Sequence, residues 1–429
     1  MKRLKIAGIG CGSRTSTYMK LAAEMPERYE IVGAADLIDW KVARIARLSD
    51  RNNFRSFTNA RQLLAADRFA DILIIGTQDS YHVEPCIAAL EKGYDVLLEK
   101  PIATSVVDLL KLESVAKRLG RRVLICHVLR YTPFYQKVKQ IVAGGQLGDI
   151  VTMQASEGVG TFHQAHSFVR GHWSITESSS PMIIQKSCHD LDIIQWMMDR
   201  PFTAVSSFGQ LSYFNLQHKP ADAPKRCIDA CPVGATCQYN AIRYLTDQRG
   251  WLPYVYNGGE NASDDDVRAW LKTSPWGRCV YQCDNTAVDH QVVTINFTGG
   301  ATATFTMSAF DSGRNLEIWG TEGVLRGGTY TKQIADCDIV VRDHATNDVS
   351  RFNVEPRAGA HAGHGGGDRG LMESLYTEMQ VADSADMRSS LHVSVESHLI
   401  GFAAEESRMT AQVVEAKPFR MKHALPASR

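Results

Sequence analysis

No stretch of this 429-residue chain approaches the ~18–20 uninterrupted apolar residues that a bilayer-crossing helix requires, which excludes a transmembrane protein. Neither sign of charge is in excess: Lys and Arg number 47, and Asp and Glu also number 47. The broad attraction that draws proteins to nucleic acid or to anionic membranes is therefore missing. The amino-terminal run Met1-Lys2-Arg3-Leu4-Lys5-Ile6-Ala7 lacks the apolar core and small-residue cleavage site of a secretion signal. A cytoplasmic protein is expected, with small molecules or other subunits as partners. No repeat of fixed period is present, so solenoids and propellers are set aside.

What is present is length and apolar material. A chain of 429 residues with 44 % hydrophobic content exceeds what one core organises, so two domains are expected. Leu4–Ile9, Tyr29–Ala35, Ala70–Ile75, Asp95–Leu98 and Arg122–Ile125 read as short apolar strands separated by segments long enough for crossover helices, the last of them at Lys111–Leu119. That alternation predicts an α/β unit with a doubly wound parallel sheet over residues 1–126. From residue 127 to 429 the texture changes. Val151–Glu157, Thr203–Leu211, Val292–Phe297, Ala301–Ala309 and Asn315–Trp319 alternate as antiparallel strands with one covered face, predicting an α+β domain built on an open, mainly antiparallel sheet. Periodicity weakens over about 214–285, which reads as a Cys-rich insertion covering the site. The run Gly359–Gly367 reads as a mobile loop.

The first strand runs into Gly10-Cys11-Gly12-Ser13-Arg14-Thr15. Gly10 suits a tight turn, and Gly12 leaves room for a pyrophosphate to approach the backbone, with the following helix aiming free N–H groups at it. Thr15 occupies the third glycine position of the usual fingerprint, so the motif is incomplete; an ordinary tight turn is the alternative. Asp36, at the end of the second strand, favours the Rossmann reading, because a carboxylate there accepts from ribose hydroxyls and repels a 2′-phosphate. No arginine follows at Leu37 or Ile38. NAD is expected over NADP.

Two further strands end in Gly76-Thr77-Gln78-Asp79-Ser80-Tyr81-His82 and in Glu99-Lys100-Pro101, on the side where open α/β sheets bind ligands. With these segments, Arg130-Tyr131, Gly145–Gly148, Cys188-His189-Asp190-Leu191-Asp192 and Gly320-Thr321-Glu322-Gly323, the chain resembles the Gfo/Idh/MocA family of oxidoreductases over nearly its whole length outside the insertion. The resemblance implies that Gly10, Gly12, Ser13, Arg14, Asp36, Thr77, His82, Glu99 and Lys100 bind NAD, and that Lys100 lies beside the nicotinamide and the substrate carbinol. It implies His189 as the general base and Arg130, Tyr131 and Asp190 as substrate contacts. The family's dehydrogenases often carry an aspartate four residues before this histidine, where this chain has Gln185.

Lys186 stands three residues before His189. If Met182–Met198 is one helix, both side chains share a face, and Lys100 and Lys186 flank the imidazole as a catalytic pair. The alternative is that Lys186 pairs with Asp190 on the helix surface. In the loop, His364 and Asp368 are candidates for a sugar hydroxyl or a metal; incidental surface residues are the alternative.

Five of the ten cysteines fall in the insertion, as Cys227-x3-Cys231-x5-Cys237 and Cys279-x3-Cys283. Cys227, Cys231, Cys237 and Cys283 are read as a candidate structural zinc site, with free thiols, a disulfide or an iron–sulfur cluster as alternatives.

The expectation is an NAD-dependent oxidoreductase that moves hydride between nicotinamide and a secondary alcohol or ketone of a sugar, cyclitol or derivative, working as a homodimer or homotetramer paired through the open sheet. The resemblance leaves two alternatives: an NAD-using glycoside hydrolase with transient oxidation, and a non-catalytic nucleotide-binding sensor.

Overall fold

The computed structural model describes residues 3–50, 52–355, 363–380 and 387–424. The expected loop over 359–367 lies partly outside these residues, His361 with it. Six strands, β1 Leu4–Ile9, β2 Tyr29–Ala35, β3 Arg55–Phe57, β4 Ile72–Ile75, β5 Asp95–Leu98 and β6 Val123–Ile125, form one sheet in the order β3-β2-β1-β4-β5-β6. All its pairs are parallel. The central strands are buried on both faces, which is why Ile72-Leu73-Ile74-Ile75 carries no polar alternation. Strand order reverses between β1 and β4, opening the crevice where such sheets take ligands. The helix α1, Ser13–Ala23, starts at that crevice.

The second sheet has nine strands, β7 Ile150–Val159, β8 Phe202–Gln210, β9 His290–Phe297, β10 Thr302–Ser308, β11 Ser312–Gly320, β12 Gly323–Gly328, β13 Ile339–Asp343, β14 Val349–Phe352 and β15 Val414–Glu415. Their order is β14-β13-β12-β11-β7-β10-β9-β8-β15. Seven of the eight neighbouring pairs are antiparallel, and β7 with β10 is the parallel exception. In β9 the inward set Val293, Ile295 and Phe297 alternates with outward Val292, Thr294 and Asn296. The inward face packs beneath the helices Cys188–Met198 and Leu391–Thr410 in one continuous core shared with the first sheet. The outward face leaves Val151, Phe208 and Val292 exposed.

Several elements depart from expectation. The stretch Met182–Met198 is not one helix: it breaks into Met182–Gln185 and Cys188–Met198, because Ser187 leaves helical geometry (φ −86°, ψ 2°). Pro133–Ala143 is a helix the periodicity reading missed, although Thr132 caps it and Pro133 occupies its first turn. The short β3 is too exposed to carry an apolar signal. Near the carboxyl end, the helix Gly367–Glu378 returns to the first sheet, where Leu371, Met372, Leu375 and Tyr376 join a core with Tyr18, Met19, Leu21 and Leu124.

The insertion, weakly patterned in sequence, is packed. Short helical turns bury Tyr244, Leu252, Val267, Leu271 and Trp276 against Phe162. Among the described residues no helix is long and apolar enough to cross a membrane.

Candidate functional site

Gly10 adopts φ +76°, and a Cβ there would stand 2.8 Å from the Thr77 nitrogen, so the turn at the end of β1 requires glycine. Gly12 begins α1 without a side-chain cap, and a Cβ on it would meet only the Gly76 carbonyl at 3.9 Å. The helix N-terminus therefore opens onto free space with unsatisfied N–H groups. These residues fit a pyrophosphate. Thr15, in the position of the missing glycine, is accommodated by a glycine elsewhere: a Cβ on Gly76 would lie 2.4 Å from Thr15 Oγ1. Asp36 accepts from the Cys11 amide (2.7 Å) and the Ile38 amide (2.9 Å), which locks the turn onto the end of β2. Arg44, which the sequence reading did not single out, adds donations to the Cys11 carbonyl (2.9 Å) and Ser16 Oγ (2.6 Å). Ser13 opens α1 beside Gly12.

Arg14 turns away from this crevice. Its guanidinium donates to Glu99 Oε1 (2.9 Å), to the Tyr18 hydroxyl (2.6 Å) and to both Asp368 oxygens (3.2 and 2.5 Å). Tyr18 in turn donates to Glu99 (2.7 Å), and the second Glu99 oxygen accepts from the Lys100 amide (3.0 Å). Glu99 thereby fixes the backbone that presents Lys100. The surrounding cations outweigh burial and hold the Glu99 carboxyl below its ordinary range. The Lys100–Pro101 bond is cis. The Lys100 ammonium donates to the Gln185 carbonyl at 2.8 Å, one turn of chain before His189.

His189 is buried, and its Nδ1 has no partner. Burial first, then the charge of Lys100, then His364, His127 and Arg314 push its pKa well below the usual histidine value. The imidazole is neutral at pH 7 and able to accept a proton. The rings of His364 and His127 lie 5.9 and 6.1 Å from it. His364 Nδ1 lies 3.2 Å from Asp368 Oδ2, so the loop histidine joins the site through the same carboxylate that holds Arg14.

The break between Met182–Gln185 and Cys188–Met198 removes the shared helical face from which a pairing of Lys186 with Lys100 around His189 was expected. The Lys186 ammonium donates to Glu157 Oε1 (2.8 Å) on β7. Asp190 takes Arg314 instead (2.7 Å), and Arg314 also bonds Glu157. Two cations thus flank a fully buried carboxylate and hold Glu157 in its charged form, while burial raises Asp190. His163, whose pKa falls to about 3 through burial and then the charge of Lys186, adds a fifth residue to this wall. Glu157, His163, His127 and Arg314 escaped the sequence reading because no local spacing links them to Lys100.

Other expected site residues serve the frame. Arg130 is buried against Asp192 in a two-pronged pair (2.7 Å each), and Tyr131 bonds Ser389 (2.9 Å). Both side chains are buried. Both ring nitrogens of His82 face main-chain carbonyls, Pro101 at 2.7 Å and Thr77 at 3.2 Å, tying the two strand-end segments together. Thr77 itself donates to the Tyr81 carbonyl (2.7 Å). Among the described residues, no three His, Cys, Asp or Glu side chains stand within one ion's ligand shell.

Comparison with known proteins accords with the two-sheet fold. A profile described as the oxidoreductase family, NAD-binding Rossmann fold, matches residues 4–127, and one described as the oxidoreductase family, C-terminal alpha/beta domain, matches residues 139–414. YteT of Bacillus subtilis (strain 168), a protein named as an oxidoreductase, is 25 % identical over 366 residues, 82 % of this chain and 81 % of that protein. An inositol 2-dehydrogenase of Salmonella typhimurium (strain LT2) is 21 % identical over 48 % of this chain, and the match spans 57 % of that enzyme's length. The crystal structure of an oxidoreductase from Agrobacterium radiobacter in complex with NAD+, L-tartaric acid and magnesium superposes with a TM-score of 0.68 at 14 % identity, covering 97 % of this chain and 99 % of that one.

Proposed function

Because this chain belongs to the Gfo/Idh/MocA oxidoreductase family, we propose that it transfers hydride between NAD and a secondary alcohol or ketone of a sugar, cyclitol or related polyol. One observation carries the reading: Lys100, fixed by Glu99 and the Gln185 carbonyl, acts electrostatically on a buried, neutral His189 whose Nδ1 is free. Gly10, Gly12, Ser13 and Asp36 would hold the dinucleotide, whose bound nicotinamide supplies the hydride acceptor or donor. His189 takes the hydroxyl proton when the alcohol is oxidised and returns it in reduction. Lys100 orients the oxygen and stabilises negative charge as it develops there, which is worth most in a site shut off from water. Gln185 leaves His189 without an acidic neighbour at that position. The imidazole is therefore a weaker base than one held by a carboxylate, and Lys100 carries more of the charge stabilisation.

Asp36, with no cation at Leu37 or Ile38 beside it, supports NAD over NADP. The exposed Val151, Phe208 and Val292 on the outward sheet face suit self-association, to be read by light scattering. The polyol class follows the inositol dehydrogenase relatives. A screen of sugars and cyclitols for NADH formation, with NADP in parallel, tests the reading. Steady NADH release from a free polyol supports it. Glycoside cleavage without net NADH, or nucleotide binding with no redox change for any polyol, would replace it by one of the two alternatives.

A further inference from the structure

Cys227, Cys231, Cys237 and Cys279 line one cavity of about 20 Å³, the room that one small occupant needs. Two stretches of the insertion are brought together there by backbone bonds. Arg226 and Arg278 form an antiparallel bridge, with the Cys227 amide donating to Gly277 O (3.0 Å) and the Cys279 amide to Lys225 O (2.9 Å). That bridge sets Cys227 and Cys279 close together in the fold. Cys231 and Cys237 enter from a tight turn in which the Cys237 amide donates to Val233 O (3.0 Å). Cys283 stays off the cavity wall, its thiol directed at the Cys279 carbonyl (3.3 Å).

The fifth participant is a cation. Arg170 is among the largest fully buried side chains, 1 % exposed, and it lines the same cavity. Its Nε donates to Arg278 O (2.7 Å), and its Nη2 to Tyr239 O (2.7 Å) and to Cys227 Sγ (3.5 Å). Its Nη1 is buried with no partner. None of the ion pairs formed among the described residues includes Arg170. A guanidinium cannot shed its proton, and an uncompensated buried charge costs several kcal/mol. Neutral thiols would not balance it.

We propose that Cys227, Cys231, Cys237 and Cys279 bind one zinc-type divalent ion as thiolates, with Arg170 as the counter-charge. Four thiolates around a divalent ion carry a net charge of about −2, and the Arg170 Nη2 directed at Cys227 Sγ offsets part of it, as outer-sphere donors do at thiolate centres. Binding releases the four thiol protons to solvent and changes no oxidation state. The thiols line the wall without yet meeting in one ligand shell, so loading turns them inward by side-chain rotation. The fourth ligand is Cys279, in place of the expected Cys283. Arg170 also ends the segment Phe162–Arg170, which begins beside the Lys186–Glu157 wall and is held by Trp276 Nε1 donating to the His166 carbonyl (3.0 Å). The ion would thus brace that wall through the insertion, whatever reaction the site performs.

The test is metal analysis of the full, tag-free chain, with Cys231→Ser, Cys279→Ser and Cys283→Ser variants. About one zinc per chain is expected in the wild type and in Cys283→Ser, and a small fraction of that in the other two. Because those two variants can misfold, the wild-type protein is also titrated with a mercurial while a chromophoric chelator reads released zinc; release should follow thiol capture. A metal-free wild type whose insertion thiols react freely with a thiol reagent overturns the proposal. So does iron with acid-labile sulfide. Zinc lost from Cys283→Ser but kept in Cys279→Ser overturns the assignment of the fourth ligand.

Discussion

Arg14 and Asp368, 354 positions apart in the chain, form a two-pronged ion pair at 3.2 and 2.5 Å, in which the carboxylate is almost wholly buried. The same guanidinium serves Glu99, whose other oxygen positions Lys100. Arg14→Met would strand two buried carboxylates, and removing one partner of such a pair costs about 3–5 kcal/mol. A loss of that size in the unfolding free energy, read as a lowered urea midpoint, is expected. Arg14→Lys should recover only part of it, because a lysine lacks the planar fork. An unchanged midpoint in Arg14→Met would show that the pair is not formed in solution.

Lys100→Met should lower kcat by roughly 10²–10⁴-fold, the range for a positioned acid–base group, while NADH binding, followed by fluorescence, stays near wild type. The pH dependence gives an independent check. His189 acts as a base when neutral, and its lowered pKa places the acid limb of kcat/KM below the ordinary histidine value of about 6.5. Lys100 is the largest charge pushing that pKa down. The residual activity of Lys100→Met should therefore show an acid limb moved toward neutrality. A limb that stays in place would separate the two groups.

Gly76 and Thr15 make a size-exchange pair. Gly76→Ala sets a methyl 2.4 Å from Thr15 Oγ1, and overpacking of this kind costs about 1–3 kcal/mol. Thr15→Ala removes the obstructing atom, so the double variant should regain most of the loss in thermal unfolding. Additive losses would show that the two positions do not touch.

The first sheet was legible because β4 and the inner residues of β1, β2 and β5 are buried on both faces and carry apolar runs, with glycines where the backbone must turn. The strands after β11 were not, since Gly323–Gly328 is rich in glycine and lacks clear alternation, and Val349–Phe352 is short and mostly exposed. The site divides in the same way. Lys100 and His189 sit in recognisable local contexts, whereas Glu157, His163 and Arg314 meet only after β7, the insertion and β11 have packed. The i, i+3 argument for Lys186 failed because Ser187 interrupts the helix, which spacing alone does not reveal.

Acid should destabilise the fold through its buried imidazoles. Burial holds the pKa of both His166 and His398 at about 3, against about 6.5 when unfolded. The unfolded chain binds more protons below pH 6.5, so stability is full above that value and falls as pH drops toward 3. By pH 5 the loss is on the order of 2 kcal/mol per imidazole. Urea midpoints at pH 7 and 5 should show it. His398→Gln, which keeps an acceptor for the Ile102 amide, should flatten the dependence, and an unaltered slope would assign the acid sensitivity elsewhere.

The return of the helix Gly367–Glu378 to the first sheet bears on how the protein is made. A ribosome that has released only the nucleotide-binding domain has delivered Tyr18, Met19, Leu21 and Leu124 without the leucines, methionine and tyrosine that cover them. That domain stays sticky until about the last seventh of the chain emerges, a window in which chaperones have a surface to grip. Expressing residues 1–126 alone makes that window permanent.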